Sequence, residues 1–163
     1  MQDHSERGQD AASVPRESSE PFWKAKELDA LSDAEWEALC DGCGKCCLNK
    51  LEDETDGRLF FTNVACRLLD PVRCRCRRYG RRFSLVPDCV DLRTCEREDY
   101  RYLPASCAYR RLHEGRELPD WHPLVSGRAH SVHDAGISVK GRTVSEELVS
   151  EDELEHYIVD WIE

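Results

Sequence analysis

Ten cysteines lie between Cys40 and Cys107, and none lies elsewhere in the chain. The N-terminal sequence lacks the apolar run that begins a secretory signal, so we expect a reducing compartment, the cytoplasm. Clustered cysteines in such a compartment indicate metal or thiol chemistry and not a disulfide framework. We therefore predict that bound metal cross-links the middle of the fold.

The densest part of the cluster is the run Cys40-x2-Cys43-x2-Cys46-Cys47. Two-residue gaps let one loop wrap three thiolates around one centre, and the intervening glycines at 42 and 44 can relieve backbone strain. The fourth ligand must come from elsewhere in the chain. The candidates are Cys66, Cys74, Cys76, Cys89 and Cys107.

Cys46 and Cys47 are adjacent, so their side chains tend to diverge and are not expected to bind one metal ion together. They either serve two neighbouring sites or leave one spare thiol. Two four-thiolate sites would use eight cysteines. A second solution is three zinc ions held by nine thiolates, three of which bridge.

An all-thiolate shell suits zinc or an iron–sulfur cluster and disfavours magnesium or calcium. A zinc ribbon has two separate C-x2-C pairs, whereas the second pair here is the tighter Cys74-x-Cys76. The C-x2-C-x2-C run is similar to the first three ligands of a bacterial four-iron cluster, although Leu48 replaces the usual proline after the last cysteine. The spacing favours an iron–sulfur cluster and leaves Zn²⁺ open. Buried or redox-active thiols without metal are a further alternative.

The motifs together resemble the bacterial CxxCxxCC cysteine-cluster family of zinc- or iron-chelating proteins, in its YcgN-type branch. The similarity runs from Phe22 to Leu124 and includes the segments 39–44, 46–48, 61–67, 74–76, 87–89, 103–104 and 107–110. Nine cysteines match the pattern, and Cys95 is extra. The resemblance implies the ligand set Cys40, Cys43, Cys46, Cys47, Cys66, Cys74, Cys76, Cys89 and Cys107. It implies no enzyme activity.

The 163 residues suit one domain of the α+β class, small and irregular, with short helices and hairpins. We expect a disordered tail over residues 1–20 and a metal-binding domain over 21–163. The longest stretch without a charged residue is eight residues, too short to span a membrane. The sequence predicts a helix from Pro21, a capped helix from Ser32 that ends at Gly42, and a hairpin over 48–62. Two further helices are predicted, from Asn63 to Leu69 and over 104–112 with its end at Gly115. A strand over 137–144 and an acidic amphipathic helix from Ser150 complete the predicted elements.

Charge is segregated along the chain. The net charge is -10, with eight acids and no Lys or Arg over 144–163, which argues against nucleic acid as a partner. The segment Arg67–Arg82 nevertheless carries seven arginines and one aspartate. We expect these arginines to offset the charge of metal-bound thiolates. The alternative is an RNA- or phosphate-binding module.

The predicted function is chelation of an iron–sulfur cluster or zinc, with electron transfer or oxidant sensing as the role of a cluster. Alternatives are a thiol redox switch, a metal-delivery protein and a metal-dependent redox enzyme. No Ser-His-Asp order or paired carboxylates support catalysis, so enzyme activity stays open. We expect His122 to fix its loop through a hydrogen bond and the four tryptophans to anchor the core. A protein partner cannot be named.

Overall fold

The structure is a computed structural model that describes residues 20–163, so the predicted tail lies outside the described residues except for Glu20. All α-helices are short: α1 (Phe22–Ala25), α2 (Asp33–Leu39), α3 (Arg82–Leu85), α4 (Ala108–His113), α5 (Pro123–Ser126) and α6 (Ser131–Asp134). The strands are β1 (Leu48–Glu52), β2 (Leu59–Ala65), β3 (Leu69–Asp70), β4 (Arg75–Cys76) and β5 (Val144–Ser145). This is the predicted α+β class. Over residues 20–163, every helix is too short or too polar to cross a membrane.

A three-stranded sheet in the order β1-β2-β5 forms the first layer. The β1–β2 pair is the predicted antiparallel hairpin, with Lys50 opposite Phe61 and Leu51 opposite Phe60. Gly57 closes its turn at φ 70°, a left-handed conformation that favours glycine. Strand β5 joins β2 in parallel, and β3 and β4 form a separate antiparallel pair.

Helix α2 begins where its capping box predicts. The Ser32 hydroxyl accepts the Glu35 N–H at 3.3 Å, and the Glu35 carboxylate accepts the Ser32 N–H at 2.8 Å. The helix ends at Leu39, before the predicted stop at Gly42, because Cys40 already has extended backbone. This early ending leaves the whole cysteine run in a loop.

Two hydrophobic clusters flank that loop. The first is built from Leu31, Trp36, Leu39, Tyr100, Leu103, Ala108, Tyr109 and Leu118. The second is built from Leu48, Ala65, Leu69, Cys74 and Val139. Cys40, Cys95 and Cys107 pack against the first cluster and Cys47 against the second, so the cysteines occupy the space between two small cores.

Three predicted elements are wrong, and two of them lie in or beside the sheet. Asn63 does not cap a helix, because it lies inside β2, where buried Thr62 and Val64 belong to the sheet. Of the predicted strand over 137–144, only Val144 lies in a strand, β5. Earlier in this segment, the Val139 N–H donates to the Cys43 carbonyl at 2.9 Å and not to a neighbouring strand. Tertiary contacts override the local patterns at both places.

The acidic C-terminal segment forms a 3₁₀-helix, Glu151–Tyr157, and not the expected α-helix. Ser150 makes no side-chain capping bond there. The chain then becomes extended, because Ile158 bridges to Thr62 and the Val159 N–H donates to the Phe61 carbonyl at 2.9 Å. Sheet pairing with β2 thus competes with continuation of the helix. Similarly, α4 begins at Ala108, four residues later than predicted.

Candidate metal centre

The cysteine loop depends on two glycines in the left-handed conformation. Gly42 has φ 79° and Gly44 has φ 78°. A Cβ at Gly42 would lie 3.1 Å from the Arg75 guanidinium, and one at Gly44 would lie 2.8 Å from the Val139 side chain. Both the backbone conformation and the space therefore require glycine. The loop then tightens into a 3₁₀-helix, Lys45–Cys47.

One group of thiols consists of Cys40, Cys43, Cys46 and Cys107. Cys40 follows α2 and Cys107 caps the start of α4, and these two helices are joined because the Tyr109 hydroxyl donates to the Trp36 carbonyl at 2.8 Å. Burial, together with a charge on Cys46, raises the pKa of Cys40 to about 11 and that of Cys107 to about 12. The same two causes raise the pKa of buried Cys43. The mutual influence shows that these thiols share one region.

A second group consists of Cys47, Cys66, Cys76 and Cys89. The Cys66 N–H donates to the Cys47 carbonyl at 2.8 Å. Leu69 follows Cys66 by three residues and pairs with Cys76 across the β3–β4 ladder. Burial raises the pKa of Cys89, and charges on Cys46, Cys66 and Cys76 also raise it, so Cys89 lies within reach of Cys46 as well. The β1–β2 and β3–β4 pairings thus gather thiols that are far apart in sequence.

Cys46 and Cys47 connect the two groups. A hydrogen bond from the Cys47 thiol lowers the pKa of Cys46 to about 7 and raises that of Cys47. Cys46 is exposed, whereas Cys47 is half-buried against the second core cluster. The adjacent side chains therefore differ in exposure, although their thiols contact each other.

Cys74 and Cys95 belong to neither group, although Cys74 lies beside Gly44 of the cysteine loop, where an added Cβ would come within 3.2 Å of Cys74 Cβ. Cys74 is 3% exposed in the second core cluster, with φ 53°, and its thiol lies against Ser138. Cys95 packs on the first cluster, where burial raises its pKa and Asp99 adds to the shift. Eight of the nine predicted ligands belong to these two groups, whereas Cys74 is part of the second core cluster.

The thiols receive hydrogen-bond donors of the kind that suit metal-bound sulfur. The Leu68 N–H donates to Cys66 Sγ at 3.5 Å, and Arg75 Nη1 lies 3.9 Å from Cys40 Sγ. Three further thiols have a pKa that is lowered by a hydrogen bond from a backbone N–H group. The donors are Gly42 for Cys40, Lys45 for Cys43 and Arg110 for Cys107. Donors to sulfur stabilise thiolates, so this donor set fits a metal–thiolate centre. Within residues 20–163, however, no three His, Cys, Asp or Glu side chains already form a group that could hold a metal ion.

The arginine-rich segment runs past both thiol groups. Arg75 sits between Cys74 and Cys76 in sequence, yet its guanidinium reaches Cys40. Only Arg67 of the seven arginines has a carboxylate partner within the described residues, Glu146 at 4.0 Å. Arg82 instead stacks over the rings of Tyr79 and Phe83, at 3.8 and 4.1 Å. The contact of Arg75 agrees with the expectation that these charges offset thiolates.

His122 makes a hydrogen bond within its own loop, as predicted, and a second one to the end of α2. Its ring is fully buried, Nδ1 accepts the Leu124 N–H at 3.1 Å, and Nε2 lies 3.0 Å from the Leu39 carbonyl. Because a carbonyl only accepts, Nε2 carries the proton and the ring is neutral. Both nitrogens are thus occupied, which leaves none for a metal ion.

We expect His122→Gln to lose about 1–3 kcal/mol of unfolding free energy at neutral pH, because a buried hydrogen-bond pair is weakened. Burial lowers the pKa of His122, so the unfolded state takes up a proton more readily as pH falls. The difference between wild type and variant should shrink as pH falls below about 6.5, the usual histidine value. Urea unfolding from pH 8 to pH 5 measures this. The exposed His156, changed to Gln, is the control and should show no such difference.

Asp41 is the site residue that the sequence interpretation missed. It lies between Cys40 and Gly42, is buried, and accepts the Cys43 N–H at 2.8 Å through Oδ1. The sequence could have indicated its importance, because Asp41 is an acidic residue inside the run of cysteines with metal-ligand spacing. Its location changes the charge of the first thiol group, since its carboxylate raises the pKa of Cys43.

Comparison with known proteins supports metal chelation by the cysteine-rich segment. A family model described as "CxxCxxCC: Putative zinc- or iron-chelating domain" matches residues 39–108, a range that contains all ten cysteines. A UPF0260 protein of Allorhizobium ampelinum is 59% identical over 144 residues, which cover 88% of this chain and 91% of the relative. A UPF0260 protein of Azotobacter vinelandii is 54% identical over 140 residues, or 86% and 94% of the two chains. No solved structure matches the chain.

Proposed function

We propose that this chain, which belongs to the UPF0260 family and carries the CxxCxxCC domain, holds two adjacent four-thiolate metal centres. Centre A takes Cys40, Cys43, Cys46 and Cys107. Centre B takes Cys47, Cys66, Cys76 and Cys89. The observation that carries this proposal is the backbone hydrogen bond from Cys66 to Cys47, beside a Cys46 that belongs with Cys40 and Cys43. One loop thereby contributes to both centres, within a single domain of residues 21–163.

Metal binding would reorganise the thiols of both groups. Burial holds the pKa of Cys40 and Cys107 at about 11 and about 12, so without metal these thiols keep their protons at neutral pH. A bound ion replaces those protons and ties α2, α4 and the β3–β4 pair to the loop. Because the two hydrophobic clusters are small, this cross-link contributes much of the stability of the middle segment.

We favour iron–sulfur clusters over zinc, in a cytoplasmic protein that transfers electrons or senses oxidants. Donors to sulfur, such as Leu68 N–H and Arg75, are among the groups that set the potential of a cluster. Centres whose ligands are neighbours in sequence would also lie close enough to exchange electrons. Cys46 is exposed, which gives oxidants access to the junction of the two centres.

The test is elemental analysis and absorption spectroscopy of full-length protein purified without oxygen. We expect iron with equal acid-labile sulfide and a brown chromophore. Stoichiometric zinc in colourless protein would support the two centres but contradict the redox role. Metal-free protein whose thiols oxidise and reduce reversibly would overturn the proposal in favour of a thiol redox switch.

A further inference from the structure

Four of the seven arginines between Arg67 and Arg82 have no partner. The other three make the contacts described above, with a carboxylate, a thiol and two aromatic rings. The four remaining side chains are exposed and make no hydrogen bond or ion pair within residues 20–163. They are Arg73, Arg77, Arg78 and Arg81.

Large apolar side chains are exposed in the same part of the chain. Within residues 20–163, seven large hydrophobic residues are exposed, and four of them lie between positions 72 and 90. These four are Val72, Tyr79, Phe83 and Val90. A solvated charge needs no partner, but exposed apolar side chains gathered among charged ones are typical of an interaction site. We call the four arginines and these four residues the basic surface.

The C-terminal segment 147–163 has the opposite charge. It contains seven acidic residues and no Lys or Arg, and all seven acids are exposed. None of them has a cation partner within residues 20–163. Leu148, which is 78% exposed, and Ile158 add apolar area. We call the seven acids and these two residues the acidic surface.

The two surfaces do not neutralise each other within one copy of the chain. The only ion pair between the segments 67–82 and 144–163 joins Arg67 to Glu146 at 4.0 Å, and neither residue belongs to the two surfaces. Together the surfaces hold six of the seven exposed large hydrophobic residues, and only Val125 lies outside them. Each surface thus has a complement in charge and in polarity on the same chain, but without contact to it.

We propose that the basic surface binds the acidic surface of a second copy of this chain, and that the protein is a two-fold symmetric dimer. In such a dimer the contact between a basic and an acidic surface occurs twice, so both surfaces of both copies are covered. Complementary charge orients the two copies, and burial of the apolar residues contributes affinity. The inference goes beyond the proposed function, since it makes no use of the thiols.

A nucleic acid would fit the basic surface alone. Arginines beside exposed aromatic rings can bind phosphates and stack on bases. The net charge of -10 repels a polyanion, however, and bound RNA would leave Leu148 and Ile158 uncovered. A second copy accounts for both surfaces at once, and for this reason we favour it.

The first test is sedimentation of the full-length protein, purified without oxygen, at about 0.1 M and about 1 M NaCl. We expect a dimer whose dissociation constant rises at least about tenfold at the higher salt, because the Debye length falls from about 10 to about 3 Å. A monomer at every concentration at low salt would overturn the inference. A monomer that binds polyuridine RNA with strong salt dependence would replace it with the nucleic-acid interpretation.

Charge exchange tests the contact itself. Arg78→Glu with Arg81→Glu makes the basic surface more acidic, and Glu151→Arg with Glu155→Arg makes the acidic surface more basic. Each double variant alone should be monomeric, whereas an equal mixture of the two should form heterodimers, since both contacts are again between opposite charges. Variants that stay monomeric when mixed would contradict the proposal. Recovery on mixing also shows that both variants are folded.

Two controls separate the contact from general effects. Glu54→Arg with Glu98→Arg changes the net charge as much as the exchange of the two C-terminal acids does, at exposed positions outside both surfaces, and should remain dimeric. Leu148→Ser should weaken the dimer about tenfold, because it removes buried apolar area. Val125→Ser, also at an exposed position but outside both surfaces, should have no effect. Equal effects of the site and control variants would overturn the assignment of the two surfaces.

Discussion

Cys107→Ser is expected to lose about half of the bound metal, whereas Cys74→Ser should keep all of it. Cys107 is the ligand of centre A that comes from outside the cysteine loop, so its loss opens that centre. Cys74 lies in the second core cluster, with its thiol against Ser138, and is not a ligand in the proposed centres. Metal and sulfide per chain, measured on anaerobically purified protein, give the result directly.

The same pair of variants separates metal loss from ordinary core damage. Losing about 4 kcal/mol of metal-binding energy in Cys107→Ser should lower the thermal midpoint by roughly 10 °C. Cys74→Ser should cost less, since it places one small hydroxyl in the core beside Ser138. Cys89→Ser tests centre B in the same way. A Cys107→Ser protein with a full complement of metal, or a Cys74→Ser protein without it, would show that the ligands are assigned wrongly.

Gly44→Ala is expected to destabilise the protein by about 2–4 kcal/mol. Alanine disfavours the φ of 78° found at this position, and its Cβ would approach Val139 Cγ2 to 2.8 Å. The Val139 N–H is bonded to the Cys43 carbonyl, so relieving the contact displaces the cysteine loop. Guanidinium unfolding with metal bound measures the loss, and metal content should fall with it.

Gly80→Ala is the matched control for that substitution. A Cβ at Gly80 meets no atom within 4 Å, and the residue is not in the left-handed region. Its stability should stay within about 0.5 kcal/mol of wild type or rise slightly. Equal losses in the two variants would mean that Gly44 has no special conformational requirement.

The elements that the sequence predicted well depend on contacts between near neighbours. The Ser32–Glu35 capping box and the hairpin turn at Gly57 each involve a few residues and form as expected. Elements that compete with distant partners were predicted wrongly. The pattern after Asn63 suits a short helix, but pairing of β2 with β1 and β5 keeps the segment extended.

The C-terminal segment shows the same competition. Ser150 and Glu153 have the spacing of a capping box, yet the segment is a 3₁₀-helix. The bond from the Val159 N–H to Phe61 in β2 requires extended backbone just after it. A pattern over a few residues contains no information about a partner almost a hundred positions away.

The chemistry of this protein is determined by its sequence, because the number and spacing of the cysteines in 40–107 already indicate thiolate metal binding. The sequence also indicates that Cys46 and Cys47 differ in their surroundings, because side chains of adjacent residues tend to diverge. Only the tertiary structure decided what surrounds each thiol, because strand pairing positions Cys66 and Cys76 and the contact between α4 and α2 positions Cys107. It also placed Cys74 in the core and buried Asp41, since burial depends on residues that are distant in sequence.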